Sequence, residues 1–239
     1  MEKPSKFRII ITCEHATNAV PPEYKPLYAG AEEILNSHRG WDPGAFSLAS
    51  ELAHELGTPL FSYPYTRLLI EPNRSAGHLK LFSEFSKSLS TTEKSVLMDE
   101  YYLPYRNRVE NEIGKHISKG KLVLHLSVHS FTPELDGALR NFEIGILYDP
   151  KRSSEKAFSS NLKQRLCFLL PDYRVCMNRP YLGSSDGFTT ALRRQFRATD
   201  YLGIELEVNQ KLLSDLLNTQ TRFTDIVARS VRDAMAMIP

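Results

Sequence analysis

Two short runs of apolar, largely β-branched residues constrain the fold of this chain more than any other feature. They span residues 7–13 and 122–128, and a polar segment with a histidine follows each directly, His15 in one case and His129 in the other. Runs of this kind are typical of strands buried on both faces of a parallel sheet. Ligands of open α/β sheets bind beyond the carboxyl ends of the strands. We therefore expect the two histidines to lie close together, and a divalent metal ion is the simplest ligand that would use both.

Length and composition fit a single globular domain over residues 1–239. Hydrophobic residues make up 41% of the chain, enough for a substantial core, and the formal net charge is +2. A charge so near zero, without a block of basic residues, argues against a nucleic-acid partner and leaves a small-molecule substrate as the expected partner. The oligomeric state stays open.

The first apolar stretch and the cysteines of the chain indicate the cellular compartment. The first apolar stretch is too short for a signal peptide, and no stretch is long enough for a membrane helix. The three cysteines lack metal-ligand spacing and fit reduced, buried thiols. We therefore expect a cytoplasmic protein without a membrane partner.

Strand and helix patterns alternate along the chain, which is typical of α/β folds. Further strands are predicted at residues 58–63, 67–71, 142–148, 173–177 and 201–208, and helices at 45–56, 90–117, 153–170, 186–196 and 211–237. A capping-box pattern opens the helix at Ser90, and Pro104 is expected to kink it. His125 is placed on the strand face opposite to His129, with a packing role.

A carboxylate is needed to complete a metal site with the two histidines. Asp42 lies in a turn directly before the predicted helix 45–56, where it would either cap that helix or serve as a ligand. Two histidines and a carboxylate are a common catalytic zinc set that leaves a position for water. Glu14 is the competing carboxylate, although neighbours in a strand point to opposite faces and seldom reach one ion together.

The last predicted strand carries Glu205 and Glu207 among apolar residues. Burying a carboxylate is costly without a partner, so the presence of two glutamates in an apolar strand calls for an explanation. Glu207 lies nearer the carboxyl end, where it could take a proton from water and pass it to a leaving amine. The alternative is an edge strand with both glutamates in solvent.

Three further segments offer groups for binding a substrate. Asn73 and Arg74 follow a predicted strand, and an arginine fork beside an amide donor suits a carboxylate, although an ordinary surface turn fits the pair as well. The loop at 178–187, which contains Asn178 and Tyr181, would either line a pocket or simply connect two elements. Arg140 is a candidate donor to an oxyanion.

Six segments together resemble one known family, the N-formylglutamate amidohydrolases, over residues 8–210. In chain order they are Cys13-Glu14-His15-Ala16-Thr17-Asn18, Trp41-Asp42-Pro43-Gly44-Ala45, Asn73-Arg74-Ser75, Val128-His129-Ser130, Asn178-Arg179-Pro180-Tyr181 with Gly183, and Glu207-Val208-Asn209. The resemblance implies a zinc carboxypeptidase-like (phosphorylase/hydrolase-like) α/β fold, with a mixed, mostly parallel sheet flanked by helices. It also implies one zinc ion held by His15, Asp42 and His129, Glu207 as the base, and Asn73 and Arg74 on the substrate carboxylate.

Three positions depart from the enzymes of this family that act in histidine breakdown. Ser127 stands in place of an aspartate, Ser184 in place of a second glycine, and Gln210 in place of an arginine. These changes leave the metal chemistry intact but point to another acylated amino acid as substrate.

The sequence as a whole predicts a zinc-dependent amidohydrolase that cleaves an N-formyl or other N-acyl amino acid such as N-formylglutamate. Other divalent metals would also fit the predicted site. Two alternatives stay open. One is a metal-dependent carboxypeptidase or deacylase for other acylated substrates, and the other is a non-catalytic binding protein that retains the pocket.

Overall fold

The computed structural model describes residues 6–215 and 220–238. The strands are β1 Phe7–Cys13, β2 Leu60–Ser62, β3 Leu122–Phe131, β4 Glu134–Leu135, β5 Ala138–Leu139, β6 Ile144–Leu147, β7 Val175–Met177 and β8 Tyr201–Asn209. The helices are α1 Glu32–Asn36, α2 Ala45–Leu56, α3 Thr91–Leu97, α4 Leu103–Ile117, α5 Ser153–Leu169, α6 Phe188–Gln195, α7 Gln210–Asp215 and α8 Gln220–Ala236.

One six-stranded sheet in the order β2-β1-β3-β8-β6-β7 organises the described chain. The first four strands of that order are parallel to one another, β6 runs antiparallel to β8, and β7 runs parallel to β6. The short hairpin of β4 and β5 stands apart from this sheet. The expected fold class, a mixed and mostly parallel sheet flanked by helices, is confirmed.

Strand alternation divides the apolar side chains between two cores, one on each face of the sheet. On one face, Leu124, Leu126 and Val128 of β3 share a cluster with residues of α2, α5 and α8. On the other face, Val123 of β3 and Ile10 of β1 share a cluster with α4 and α6. The central strands are therefore covered on both faces, which is why they read as nearly continuous apolar runs.

The predicted strand at residues 67–71 is wrong. This segment forms turns, although Leu68, Leu69 and Ile70 are buried. The backbone N–H of Leu69 donates to Thr66, and that of Glu71 donates to Leu81 rather than to a neighbouring strand. An apolar run of this length shows burial but does not distinguish a strand from a buried turn.

The predicted helix at 90–117 is interrupted. It begins with the expected capping box at Ser90 and Glu93, but a π-helical turn over Met98–Tyr102 separates α3 from α4. The Leu103 N–H donates to Met98 five residues back, directly before Pro104, which has no N–H of its own. The predicted C-terminal helix at 211–237 corresponds to α7 and α8, and residues 216–219 lie outside the described chain.

The cysteines and the membrane prediction have separate outcomes. All three cysteines are free thiols, but only Cys13 is buried, and Cys167 is exposed, so the expectation of buried thiols is wrong for that residue. Among residues 6–215 and 220–238, no helix combines the length and apolar character needed to cross a lipid bilayer.

Candidate functional site

A stripe of buried polar side chains crosses one face of the sheet at the carboxyl ends of β1, β3 and β8. In register, Thr12 of β1 pairs with Ser127 of β3, and His129 of β3 pairs with Glu207 of β8. Alternate residues of a strand share a face, so Ser127 and His129 lie on the side opposite to the leucines of β3. One set of alternate positions therefore builds a core, and the other set builds the second core and, toward the carboxyl ends of the strands, the site.

His125 belongs to this same face, and its predicted placement on the opposite face is wrong, because residues four apart in a strand point the same way. Its ring is fully buried, with Nε2 2.7 Å from the Thr12 hydroxyl and Nδ1 2.7 Å from the Tyr201 hydroxyl. Both ring nitrogens are thus occupied, and His125 packs beneath the site.

His15, Asp42 and His129 come together as predicted at the strand ends. The two Nδ1 atoms lie 3.2 Å apart, and Asp42 Oδ2 lies 3.2 Å from Nδ1 of His15 and 2.9 Å from Nδ1 of His129. Each of the three residues is at most 5% exposed. Ligands of a tetrahedral zinc ion with bonds of about 2.0 Å lie about 3.3 Å from one another, so this triangle of donors fits such an ion.

The turn at Asp42 faces the triangle of donor atoms formed by His15, Asp42 and His129 rather than the helix that follows. The N-terminal cap of α2 is Gly44, in a left-handed conformation with φ of 81°, and no side chain caps the helix. Asp42 instead accepts a bond from the Ser130 N–H on β3, and its own N–H donates to the His15 carbonyl. The capping alternative for Asp42 is therefore excluded by the structure.

The imidazoles of His15 and His129 each have a buried carboxylate at the other ring nitrogen, Nε2. His15 Nε2 lies 2.6 Å from Glu71 Oε1, and His129 Nε2 lies 3.2 Å from Glu14 Oε2. A carboxylate only accepts, so the Nε2 atoms carry hydrogens, and each Nδ1 would offer its lone pair to a cation at the centre of the triangle once it loses its proton. Glu14 thus lies behind His129, on the far side from the donor triangle.

Glu71 and Arg67 are site residues that sequence reasoning missed. The Arg67 guanidinium donates to Glu71 Oε2 at 2.7 Å and to Asp42 Oδ1 at 3.4 Å, so it ties the two carboxylates together. Both residues fall in the segment that was predicted as a strand. An acidic residue at the end of a buried apolar run was the signal that could have found Glu71.

The charges of the triangle reinforce one another. Burial raises the pKa of Asp42, but His15 and His129 outweigh burial and hold it well below its ordinary value. Burial lowers the pKa of His129, but the carboxylates of Asp42 and Glu14 hold it well above its ordinary value. In the absence of a cation, protonated imidazoles therefore compensate these carboxylates.

Glu207 lines the same cavity as the triangle, which has a volume of about 330 Å³. It is 4% exposed, and its Oε2 atom has no hydrogen-bond partner among the described residues. Burial raises the pKa of Glu207 to about 7. A carboxyl group with a pKa near neutrality is suited to accept and return a proton, and the alternative of an exposed edge strand is excluded.

Four more of the predicted residues line this cavity, namely Asn73, Arg74, Arg140 and Tyr181. Arg74 donates through Nη1 to the Asp186 carbonyl at 2.7 Å, and Asn73 Oδ1 accepts from the Phe188 N–H at 2.7 Å. Arg140 donates to the Tyr181 hydroxyl at 3.2 Å. These contacts fix the side chains. They do not involve the other N–H donors of Arg74 or the side-chain NH2 group of Asn73.

Asn178 has a different place from the one predicted. Its side-chain oxygen accepts bonds from the N–H groups of Tyr148 and Gly183, so it braces the loop, and it is not among the residues that line the cavity. The peptide bond between Arg179 and Pro180 in this loop is cis.

Comparison with known proteins identifies a matching family and solved structures with a similar fold. A sequence profile of the N-formylglutamate amidohydrolase family matches residues 7–214. The fold is similar to that of gene product Atu2144 from Agrobacterium tumefaciens, with 24% identity and a TM-score of 0.81 over 98% of this chain and 92% of that one. It is also similar to an N-formylglutamate amidohydrolase from Ralstonia eutropha, with 15% identity and a TM-score of 0.71 over 98% and 95% of the two chains. No curated protein sequence matches the chain.

Proposed function

The chain belongs to the N-formylglutamate amidohydrolase family, and from that premise we propose that it is a zinc-dependent hydrolase of an N-formyl or other N-acyl amino acid. Hydrolysis of the amide bond releases formate, or a longer carboxylic acid, together with the free amino acid. The observation that carries the proposal is the buried triangle of two Nδ1 atoms and Oδ2, which shares one cavity with Glu207, whose Oε2 atom has no hydrogen-bond partner among the described residues.

His15, Asp42 and His129 are the residues that would hold the zinc ion. Two imidazole nitrogens and a carboxylate oxygen are donors that zinc prefers, and their mutual distances fit tetrahedral ligation with one position open. A zinc ion bound there supplies Lewis acidity, which acidifies water and polarises the amide carbonyl.

Glu207 moves the proton in this proposal. Its ionised carboxylate takes a proton from the attacking water and then delivers it to the nitrogen of the departing amine. The absence of a hydrogen bond to Oε2 from the described residues leaves that atom available to water and substrate. A pKa of about 7 allows both the uptake and the release of the proton near neutral pH.

Arg74 and Asn73 are proposed to bind the substrate carboxylate at the wall of the cavity. The bond from Arg74 to the Asp186 carbonyl uses one guanidinium N–H, and the others are suited to a carboxylate in two-point geometry. Holding that carboxylate fixes the amide bond over the donor triangle. Arg140, held by Tyr181, is a further donor at the same cavity and is proposed for the oxyanion.

Gln210 favours a substrate range wider than N-formylglutamate. It lines the cavity and donates to the Ser130 hydroxyl at 3.2 Å, in the place where related enzymes have an arginine. An amide lacks the positive charge that would compensate a second carboxylate. N-formyl and N-acetyl derivatives of neutral amino acids therefore belong in the substrate screen beside N-formylglutamate.

The first test combines metal content with product release. Purified protein and its His129→Ala variant would be analysed for zinc and assayed for formate release from N-formylglutamate and from N-formyl derivatives of neutral amino acids. We expect about one zinc per chain, lost in the variant because one of the donors is removed, and formate from at least one substrate.

The outcomes separate the candidate functions. Zinc without formate, but with release of an amino acid from N-acetyl compounds or peptides, would replace the formyl substrate and favour a deacylase or carboxypeptidase. Zinc without turnover of any such compound would favour a binding protein. Absence of zinc and of activity under all metal loadings would refute the proposal.

A further inference from the structure

Glu14 is the most deeply buried carboxylate near the site that the proposed reaction does not use. It is 0% exposed and lies directly after β1, on the strand face that carries Ser127 and His129. Its Oε2 atom lies 3.2 Å from Nε2 of His129. A buried charge is retained only where specific partners compensate it.

Three donors surround the carboxylate, and their hydrogens can be assigned. The Tyr105 hydroxyl donates to Oε1 at 2.9 Å, and the Ser127 hydroxyl donates to Oε2 at 2.6 Å. Because the Ser127 hydroxyl donates its only hydrogen to Glu14, its oxygen accepts the hydrogen of His129 Nε2, which lies 2.9 Å away. The Nε2–H of His129 therefore points between Ser127 and Glu14, and Nδ1, which faces Asp42 and His15, is the nitrogen that a metal ion would take.

The carboxylate behind His129 belongs to the end of the neighbouring strand. Ser127 lies two residues before His129 on the same strand face. Ser127 has no charge of its own, but it lies in register beside the end of β1 and bonds to Glu14. The negative charge behind His129 thus comes from β1 instead of β3.

We propose that Glu14 is a positioning residue for the proposed metal site, which holds His129 from across the sheet with its hydrogen on Nε2. Carboxylates behind ligating histidines fix the ring and make it a stronger donor, and their loss weakens metal binding by about 10- to 100-fold. The inference rests on the proposed metal site but not on the identity of the substrate.

The test measures zinc affinity by competition with a chelator for wild-type protein, Glu14→Gln, and Glu14→Gln combined with Ser127→Asp. We expect Glu14→Gln to weaken zinc binding by about 10- to 100-fold, because the amide is uncharged. The added aspartate should restore most of the affinity, since the Ser127 oxygen is already 2.9 Å from His129 Nε2 and a carboxylate there would reach the same hydrogen.

Tyr105→Phe serves as the matched control. It removes the other side-chain anchor of Glu14 on α4 but keeps the carboxylate beside His129. If Glu14 only tied α4 to the sheet, Tyr105→Phe would lower the melting temperature and the zinc affinity as much as Glu14→Gln does, and the aspartate would rescue neither. That result, or unchanged zinc affinity in Glu14→Gln, would overturn the inference.

A second readout follows the ring itself. In zinc-loaded protein labelled with ¹⁵N-histidine, we expect His129 to show a protonated Nε2 and a metal-bound Nδ1. Wild-type protein that binds zinc but releases no product would refute the proposed reaction and leave this comparison intact. Wild-type protein with zinc on His129 Nε2 would refute the role of Glu14.

Discussion

At the scale of single residues, the buried carboxyl groups in and around the site differ in pKa because their neighbours differ. Asp42, Glu14 and Glu71 each lie beside an imidazole or a guanidinium, which holds their pKa values well below the ordinary range. Glu207 is equally buried, but burial dominates its balance and its pKa rises to about 7. Of these groups, Asp42 and Glu207 line the same cavity, and the opposite shifts of their pKa values suit the first to the cation and the second to the proton transfer of the proposed reaction.

Replacing Glu207 with glutamine tests this division. The amide keeps the shape of the side chain but cannot take a proton, so kcat should fall by about 10²- to 10⁴-fold while zinc content stays at the wild-type level. Steady-state kinetics and metal analysis on the same preparation check both parts. Glu205→Gln, two residues earlier on the same strand face, is the matched control and should lose far less; wild-type turnover by Glu207→Gln would contradict the mechanism.

The two histidines of the proposed metal site were predictable from sequence because they follow the predicted strands 7–13 and 122–128, which places them at one edge of the sheet. Asp42, in a turn before a helix, was equally compatible with a capping role, and only the family resemblance placed it in the ligand set. The position of Glu14 beside His129 depends on β1 and β3 being neighbours in the sheet. The position of Glu71 depends on a buried turn whose apolar sequence resembles that of a strand. Neither the lateral order of strands nor the path of a buried turn follows from periodicity.

At the scale of elements, Gly145 of β6 determines how the loop after β7 reaches the site. A Cβ at this position would lie 2.0 Å from the Arg179 carbonyl oxygen and 3.2 Å from the Glu207 Cβ. The loop can lie against β6 only because this residue has no side chain. Gly145 also pairs in register with Glu207, so the same close approach packs the loop against the proposed base.

Gly145→Ala should therefore disturb both stability and catalysis. The methyl group must displace backbone, and we expect a loss of about 1–3 kcal/mol in the free energy of unfolding, with a lower melting temperature and reduced kcat/KM. Thermal unfolding and steady-state kinetics measure the two effects. Gly77→Ala is the control, because a Cβ there meets no atom within 4 Å; equal behaviour of the two variants would refute the close-packing argument.

Among the elements, the long strands and the helices that cover them followed from sequence with nearly the observed bounds. β1 and α2 match their predicted ranges, and β3 continues three residues past its prediction, from Val128 to Phe131. The extension consists of His129, Ser130 and Phe131, whose burial against neighbouring elements is a tertiary effect. The π-helical turn before Pro104 likewise depends on how α3 and α4 pack.

At the scale of the whole molecule, the charges at the site link metal binding to folding. The pKa values of His15 and His129 are raised in the folded protein without metal, so the protonated imidazoles contribute stability that is present below about pH 6.5 and lost as pH rises through the raised pKa values. Glu207, with a pKa raised to about 7, acts in the same direction. Zinc needs the imidazoles neutral, so a higher pH favours its binding.

We therefore expect the increase in melting temperature caused by zinc to grow between pH 6 and pH 8 at a fixed concentration of free zinc. Calorimetry of metal-free and zinc-loaded protein in metal-buffered solutions would measure it. His129→Ala should show little increase at any pH. An increase that is independent of pH in the wild type would show that the imidazoles are already neutral in the metal-free protein.

The antiparallel direction of β6 has a consequence for how the substrate preference of this protein family can change. Because β6 runs antiparallel to β8, the segment that precedes it, with the β4–β5 hairpin and Arg140, enters at the edge where the proposed metal ligands lie. Those ligands come from other parts of the chain, at the ends of β1 and β3 and in the turn before α2. Lengthening or grafting the hairpin should therefore exchange one wall of the cavity while the metal-binding half stays as it is, so that new substrates become accessible through a single insertion.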